Sequence, residues 1–436
     1  MIRKLVAGVS LIFISLSFAA AVSKPNLVLI TLCSTRADRV GFLGAKGALT
    51  PNLDRLAAES IVFERAYAQA PGSLVSHATI LSGAYPQSTG MSEIGGSLPS
   101  SLPYLPELLK SGGYRTAAFV GSLDLDPRNG LAQGFDRGFQ TYDAGVRPPG
   151  VGTGASRACP ERSRRVQAKQ SLAASSDQRS ARTQRSPDQA VTNAAAWLIR
   201  NAQAPFFLWI QIDPRQAGGS YDAGIAAADA AIGKLLAILH QQRLDATTAV
   251  VVAASQGESL GAHGEETHGI FLYDETIHVP LVVKLPEPHP AAKRVAARVR
   301  LVDIAPTLLE IAAIPVPSQM QGQSLLRIAK AGGSGGDQPV YSRSDLPQRG
   351  FGWSPLESWR AGKYLYIRAP QPELYDLTAD PGAAHNLAQS SKATLDTMAA
   401  QLDNFDRNFD RHLSGDTGKS SAELSSSEMQ KLASLG

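Results

Sequence analysis

The sequence predicts an α/β fold: a mainly parallel sheet sandwiched by helices, followed by a small C-terminal antiparallel α+β appendage. Three observations lead there. Four short apolar runs, in KPNLVLITL (24–32), PFFLWIQI (205–212), AVVVAA (249–254) and PLVVKL (280–285), lack polar alternation, as expected of strands buried on both faces. Segments with helical spacing of apolar residues lie between these runs. From Gly332 the pattern changes to short strands close together in sequence.

Taken in order, Lys24–Leu32 reads as the first buried strand. Thr50–Ala58 opens with Thr before Pro and carries Leu53, Leu56 and Ala57 at helical spacing, a capped amphipathic helix. Leu102–Gly112 is a second helix that stops at Gly112-Gly113, and Thr116–Val120 follows as a strand. Ala190–Asn201 is helical, Pro205–Ile212 a strand, Ala223–Gln242 a long Ala- and Leu-rich helix, and Ala249–Ala254 a strand. Pro280–Leu285 is one more strand and Asp303–Ala312 a helix. In the appendage, Pro339–Ser342, Trp359–Arg368 and Glu373–Leu377 read as strands, closed by a helix near Lys392–Asn404. In sheets of this kind ligands sit beyond the carboxyl ends of the strands, so chemistry is expected after Leu32, Ile212 and Ala254.

Residues 1–23 carry Arg3 and Lys4, an apolar stretch from Leu5 to Phe18, and the small residues Ala19–Ala21, the layout of a secretory signal peptide. An uncleaved membrane anchor is the alternative, because the stretch approaches the ~20 residues that span a bilayer. Cleavage predicts a secreted or periplasmic protein, with no later segment long and apolar enough to cross a membrane. The rest divides into an α/β domain at 24–331, a C-terminal subdomain at 332–408 and a flexible tail at 409–436. Residues 145–188 interrupt the first domain. This insert is rich in Arg, Ser, Ala and Gln, has no aromatic residue, and reads as disordered. Its portion 157–185 holds eight Lys/Arg against Glu161 and Asp177, a net of +6 in a chain whose total is +4. The basicity therefore belongs to the insert and does not make the folded body a nucleic-acid binder. Cys33 and Cys159 are the two cysteines, so one disulfide is arithmetically possible and a stapled scaffold is not indicated.

Seven segments, in order, carry a resemblance: PNLVLITLCSTRAD, TPNLDRLAAESIVFERAYAQAP, SLVSHATILSGAYP, GYRTAAFV with GLAQGFD, GESLGAHGEETHGIFLYDETIHVPLVV, VDIAPTLL and ELYDLTADPGAAHNL. Together they resemble the sulfatase family of the alkaline-phosphatase-like superfamily, over most of residues 24–390. The resemblance implies a sulfuric ester hydrolase with a divalent cation, calcium or magnesium. In that family the cation is held by an Asp after the first strand, by a second Asp with a neighbouring Asn or His after a later one, and by the nucleophile. The nucleophile, at a helix N-terminus, is a Cys or Ser oxidised to formylglycine within C/S-x-P-x-R; phosphoryl-transfer relatives use an unmodified Thr or Ser. A sulfate or phosphate ester gains negative charge on its oxygens as it is cleaved, and a carboxylate-held cation neutralises that charge and orients the displacement.

This chain departs from the pattern at the positions that matter most. Cys33 stands where the first Asp belongs, Ser255 where the second belongs, and Gln256 in place of its Asn or His partner. Ser73 occupies the nucleophile position, but Val75 replaces the motif Pro and His77 its Arg. Arg215, in IDPRQ, replaces a His common in relatives. Hard cations want anionic oxygen ligands, and a site without them binds such an ion more weakly by several kcal/mol. No cofactor is therefore expected, and the inherited hydrolysis is expected to be mostly lost.

What remains is the N-terminus of the helix at Ser73 as an anion site, with His77, Arg36, Arg215 and His268 able to surround a sulfate or phosphate group. The candidate site is thus Ser73, His77, Arg215 and His268, with Cys33, Ser255 and Gln256 at the former metal positions. Arg36 and Asp38 read equally as an ion pair, and Glu258, Tyr273 and Asp274 as structural. His263, Glu265 and His268 form a substitute metal set by residue type. Two alternatives stay open: an active sulfate or phosphate ester hydrolase or transferase using Ser73 directly, and a non-catalytic binder of sulfated or phosphorylated glycans or small molecules.

Overall fold

The computed structural model describes residues 24–47, 49–145, 185–203, 205–288, 292–331 and 337–416, with backbone alone for 410–416. Strand β1 (Asn26–Leu32) has all seven residues buried and lies at the centre of an eight-stranded sheet. The other strands in chain order are β2 (Ile61–Tyr67), β3 (Arg115–Val120), β4 (Thr141–Asp143), β5 (Phe206–Ile212), β6 (Thr248–Ala254), β7 (His278–Lys284) and β8 (Lys293–Arg300), arranged β8-β2-β7-β6-β1-β5-β3-β4. β1 pairs in parallel with β5 (Leu27 opposite Phe207) and with β6 (Leu27 opposite Ala249). β7 runs antiparallel to both β6 and β2, and β2 and β8 are parallel. The expected mainly parallel sheet is therefore present.

Helices α1 (Pro51–Ala57), α2 (Ser73–Ser82), α3 (Leu105–Ser111), α4 (Pro187–Asn201), α5 (Tyr221–Gln241) and α6 (Ile304–Ile311) cover it in two groups, α1 with α4 and α5, and α2 with α3 and α6. A helix leaves its first N–H groups without intrahelical partners. At α1 they are satisfied from outside: buried Asp229 of α5 accepts from the Asn52 and Leu53 N–H groups at 3.1 and 2.8 Å. Thr50 makes no side-chain cap there; its hydroxyl instead accepts from Gly41 N–H and reaches Asp54.

The C-terminal part is a four-stranded antiparallel sheet of β9 (Val340–Ser344), β10 (Leu356–Ala361), β11 (Tyr364–Arg368) and β12 (Glu373–Asp376), under helix α7 (Lys392–Asp416). Met398, Leu402 and Phe409 of α7 pack with Tyr85, Tyr341, Trp359 and Tyr366 in one core. β9 is tied to the segments after β2 and before β7: Arg343 N–H donates to Gln69 O at 2.9 Å, and the Ser342 and Ser344 hydroxyls donate to Ala68 O and Gly269 O at 2.6 and 2.7 Å.

Several boundaries differ from the sequence reading. Trp359–Arg368 is two strands, because Gly362 at φ +56° turns the chain between them. The last helix runs past 408 because Phe409 still has a core to enter. Of the 145–188 insert, 146–184 lie outside the described residues, but Arg185–Asp188 belong to the folded body. Arg185 is buried and pairs with Asp143, its N–H bonds Gly121 O at 3.1 Å, and Ser186 caps α4. The N-terminal 23 residues, Cys159 and most of the tail also lie outside the description. Contrary to the sequence reading, α5 is long and apolar enough to cross a membrane by length and composition. Its Ile225, Ala228, Ile232, Leu235 and Leu239 are buried in the core.

Candidate active site

Three adjacent strands, β6-β1-β5, deliver Ser255, Cys33 and Asp213 to one end of the sheet. The ladder continues one residue beyond the strands: Cys33 N–H bonds Ile212 O at 2.9 Å and Ser255 N–H bonds Leu32 O at 2.7 Å. Both side chains are thereby locked in place, and both are fully buried. Ser73, the first residue of α2, completes the group. The Cys33 sulfur lies 3.5 Å from Ser73 Oγ and 3.8 Å from Ser255 Oγ, and Ser255 Oγ donates to Gln256 Oε1. The four positions read as the former metal and nucleophile shell thus converge on one place.

Their chemistry is that of neutral groups. Burial, reinforced by the negative charge of Asp213, pushes the Cys33 thiol up to about 12, so it stays protonated at neutral pH. Its sulfur accepts from Gln211 Nε2 at 2.8 Å. Gln211 is fixed in turn by the Gly121 and Ser122 N–H groups, at 2.7 and 3.0 Å from its Oε1.

His77 does not face this site as an anion ligand. It is fully buried, and both ring nitrogens are engaged. Nδ1 lies 2.7 Å from Ser73 O and Nε2 lies 2.9 Å from Thr31 Oγ1, which also accepts from Trp209 Nε1 at 3.0 Å. A carbonyl only accepts, so Nδ1 carries the proton and Nε2 receives the Thr31 hydroxyl. The 3.3 Å contact between Nδ1 and Ser73 Oγ therefore offers no lone pair to a serine nucleophile. Burial lowers the imidazole to about 4, which leaves it neutral. His77 pins α2 to β1.

Arg215 and His268 sit at the opening. Arg215 grips Asp213 through Nε (3.0 Å) and Nη2 (2.9 Å), with Asp213 fully buried and the Arg215 side chain 43% exposed. Burial opposes its charge and the Asp213 carboxylate outweighs that, so it stays cationic. Gln256 Nε2 reaches His268 Nε2 at 3.4 Å, and His268 Nδ1 reaches Glu258 at 3.1 Å. Arg36 is held by Asp38 at 2.8 and 2.6 Å, the ion pair the sequence allowed, and its Nη1 donates to Glu258 O.

The donor set does not fit a hard divalent cation. Cys33 is a thiol, Ser255 and Gln256 bond each other, Asp213 and Glu258 are engaged by Arg215 and His268, and Glu93 is engaged by the Val75 N–H. Among the described residues no group of three or more His, Cys, Asp or Glu is arranged to hold a metal. The substitute set also disperses: His263 stacks on Tyr273 at 3.6 Å, Glu265 accepts from the Ile270 and Phe271 N–H groups, and His268 faces Glu258.

Sequence reasoning missed two acidic residues. Asp213 stands directly beyond β5, where the strand-end rule pointed, yet attention fell on Arg215. Glu93 gave no such signal. It lies in the SEIGG turn, and its carboxyl reaches the Val75 N–H in the first turn of α2.

The sulfatase family model matches residues 25–214 and 211–314, and a second, described as N-sulphoglucosamine sulphohydrolase, C-terminal, matches 264–408. An ulvan-active sulfatase of Formosa agariphila is 28% identical over 87% of this chain and 80% of that protein. The N-acetylgalactosamine-6-sulfatase of Canis lupus familiaris is 26% identical over 88% and 85%. A solved structure in complex with its substrate D-glucosamine-2-N,6-O-disulfate superposes with a TM-score of 0.71 at 18% identity, covering 89% of this chain and 98% of that one. That likeness supports the fold. The match of the family model across both halves of the large sheet, and so across every element that builds the site, establishes that the chain belongs to the sulfatase family.

Proposed function

We propose that this sulfatase-like hydrolase has lost most metal-dependent hydrolysis and keeps a site for the anionic group of a sulfate or phosphate ester. The observation that carries the reading is the neutral cluster of Cys33, Ser73, Ser255 and Gln256 beside carboxylates already committed to Arg215 and His268. In this reading the half-exposed Arg215 side chain binds the ester oxygens through its guanidinium, a charge-assisted contact. His268 lines the opening, and Ser73 donates from the helix N-terminus. Ser73 has no base in His77, which disfavours direct nucleophilic hydrolysis. The N-terminal leader layout supports export to a periplasm.

A glycan is the ligand class best supported. Two relatives are named for sulfated sugars or ulvan, and the neighbouring surface fits a ring. Leu346 packs at Gly269, next to His268. The segment it opens leads to Phe351 and Trp353, whose rings lie 5.0 Å apart at a 30° tilt and which are 55% and 61% exposed. Such an aromatic pair offers an apolar face to the C–H side of a pyranose. The test is to assay purified protein for turnover of aryl sulfate and aryl phosphate, and for binding of a sulfated oligosaccharide. The expected result is binding without turnover. Hydrolysis that Ser73→Ala abolishes would instead establish the active-enzyme alternative.

A further inference from the structure

Gly72, the N-cap residue of α2, has no side chain with which to accept from the free N–H groups of the first turn. That place is filled from elsewhere in the chain. A Cβ at position 72 would overlap the Glu93 carboxyl, which accepts from Val75 N–H. Glu93 therefore sits at the N-terminus of a ten-residue helix, beside Ser73, on donors that an incoming ester anion would use.

The turn that carries it is short and self-contained. Gly95 N–H bonds Ser92 O at 3.0 Å, Ser92 Oγ bonds Gly95 O at 2.7 Å, and Gly95 takes φ +110° to close it. Ile94 beside Glu93 is 55% exposed, so the tip faces solvent. Two carboxylates act on Glu93 from other elements, Asp124 after β3 and Asp345 after β9. Across the site lie Arg215, Asp213, Glu258 and His268, with Cys33 and His77 both uncharged.

Resting on the proposed anion site, we propose that Glu93 is an internal stand-in for the ester's anionic group: as a carboxylate it keeps the N-terminus of α2 closed to anions, and its protonation opens that end. Burial, then Asp124 and Asp345, push its carboxyl up to about 8 against the pull of the Val75 N–H. At neutral pH the group is mostly a carboxylic acid, able to donate to a sulfate oxygen. Above pH 8 it is an anion that repels one.

The experiment titrates sodium sulfate calorimetrically into the full chain, Glu93→Gln and Glu93→Ala, at pH 6.5 and pH 9. Wild type is expected to bind up to about tenfold more weakly at pH 9. Both variants should bind equally at the two values, and up to about tenfold more tightly than wild type at pH 9. The Gln form, which keeps an acceptor for Val75, guards against loss of the helix cap. Variants that retain the wild-type pH dependence would overturn the stand-in and leave the anion site intact. Sulfate binding by none of the three at either pH would remove the anion site itself, and the stand-in with it.

Discussion

Replacing Cys33 and Ser255 by Asp and Gln256 by His is expected to turn this pocket into a divalent-cation site. The side chains already converge, with the Cys33 sulfur 3.5 Å from Ser73 Oγ and 3.8 Å from Ser255 Oγ. Two carboxylates placed about 4 Å apart repel by about 4 kcal/mol at an effective dielectric constant near 20. The metal-free triple variant should therefore be less stable than wild type, and one of the new carboxyls should hold a proton at pH 7. A calcium or magnesium ion between them removes that repulsion and replaces it with attraction. A net gain of about 3 kcal/mol corresponds to a dissociation constant at least about 100-fold lower than that of wild type. Calorimetry with CaCl2 should record binding coupled to release of about one proton, and the melting temperature should rise with calcium. A folded triple variant that shows neither heat nor a thermal shift at millimolar calcium would refute the placement of these three residues in one shell.

Three further outcomes follow from the geometry. The imidazole of His77 is lowered in the folded state to about 4 from an unfolded value of 6.5, so its contribution is present above pH 6.5 and is lost as pH falls through 4. That shift corresponds to about 3 kcal/mol; urea unfolding at pH 7 and pH 4 should show a smaller difference for His77→Gln, and an unchanged one would contradict the buried neutral pin. Arg215→Ala should weaken sulfate binding by about 10- to 100-fold, the range of a charge-assisted hydrogen bond pair, and should lower stability by leaving Asp213 buried without its partner; equal affinity in the variant would move the anion elsewhere. Trp353→Ala should reduce affinity for a sulfated oligosaccharide several-fold while leaving inorganic sulfate unaffected, and parallel losses on both ligands would place Trp353 in the folding of the loop instead.

The fold was legible where strands are buried on both faces, because no charged residue interrupts Leu27–Leu32 or Phe206–Ile212 and each run holds one polar residue, Thr31 and Gln211. It was not legible at β2 and β8. In IVFERAY the pair Glu64 and Arg65 breaks the apolar run, and KRVAARVR carries four basic residues, yet Phe63, Val295 and Val299 still bury fully or nearly so. Edge and near-edge positions let those charged side chains reach Arg294–Glu64 and Arg298–Asp337 pairs. At the site, the strand-end rule located Cys33 and Ser255, and motif register located Ser73. The orientation of His77 could not be read from its i,i+4 spacing to Ser73. Every residue of α2 is buried, so helical periodicity there marks no solvent face. Glu93 was hidden for a different reason. Its role depends on Gly72, and only the folded chain brings residues 72 and 93 together.

Titration of the native protein with calcium and with magnesium, after dialysis against chelator, weighs most directly on the idea that these neutral residues have replaced a cation's cradle. Dissociation constants of a millimolar or weaker for both ions, with no stoichiometric metal in the protein as purified, are the expected result. Tight retention of one equivalent of either ion, lost on Ser255→Ala, would contradict it.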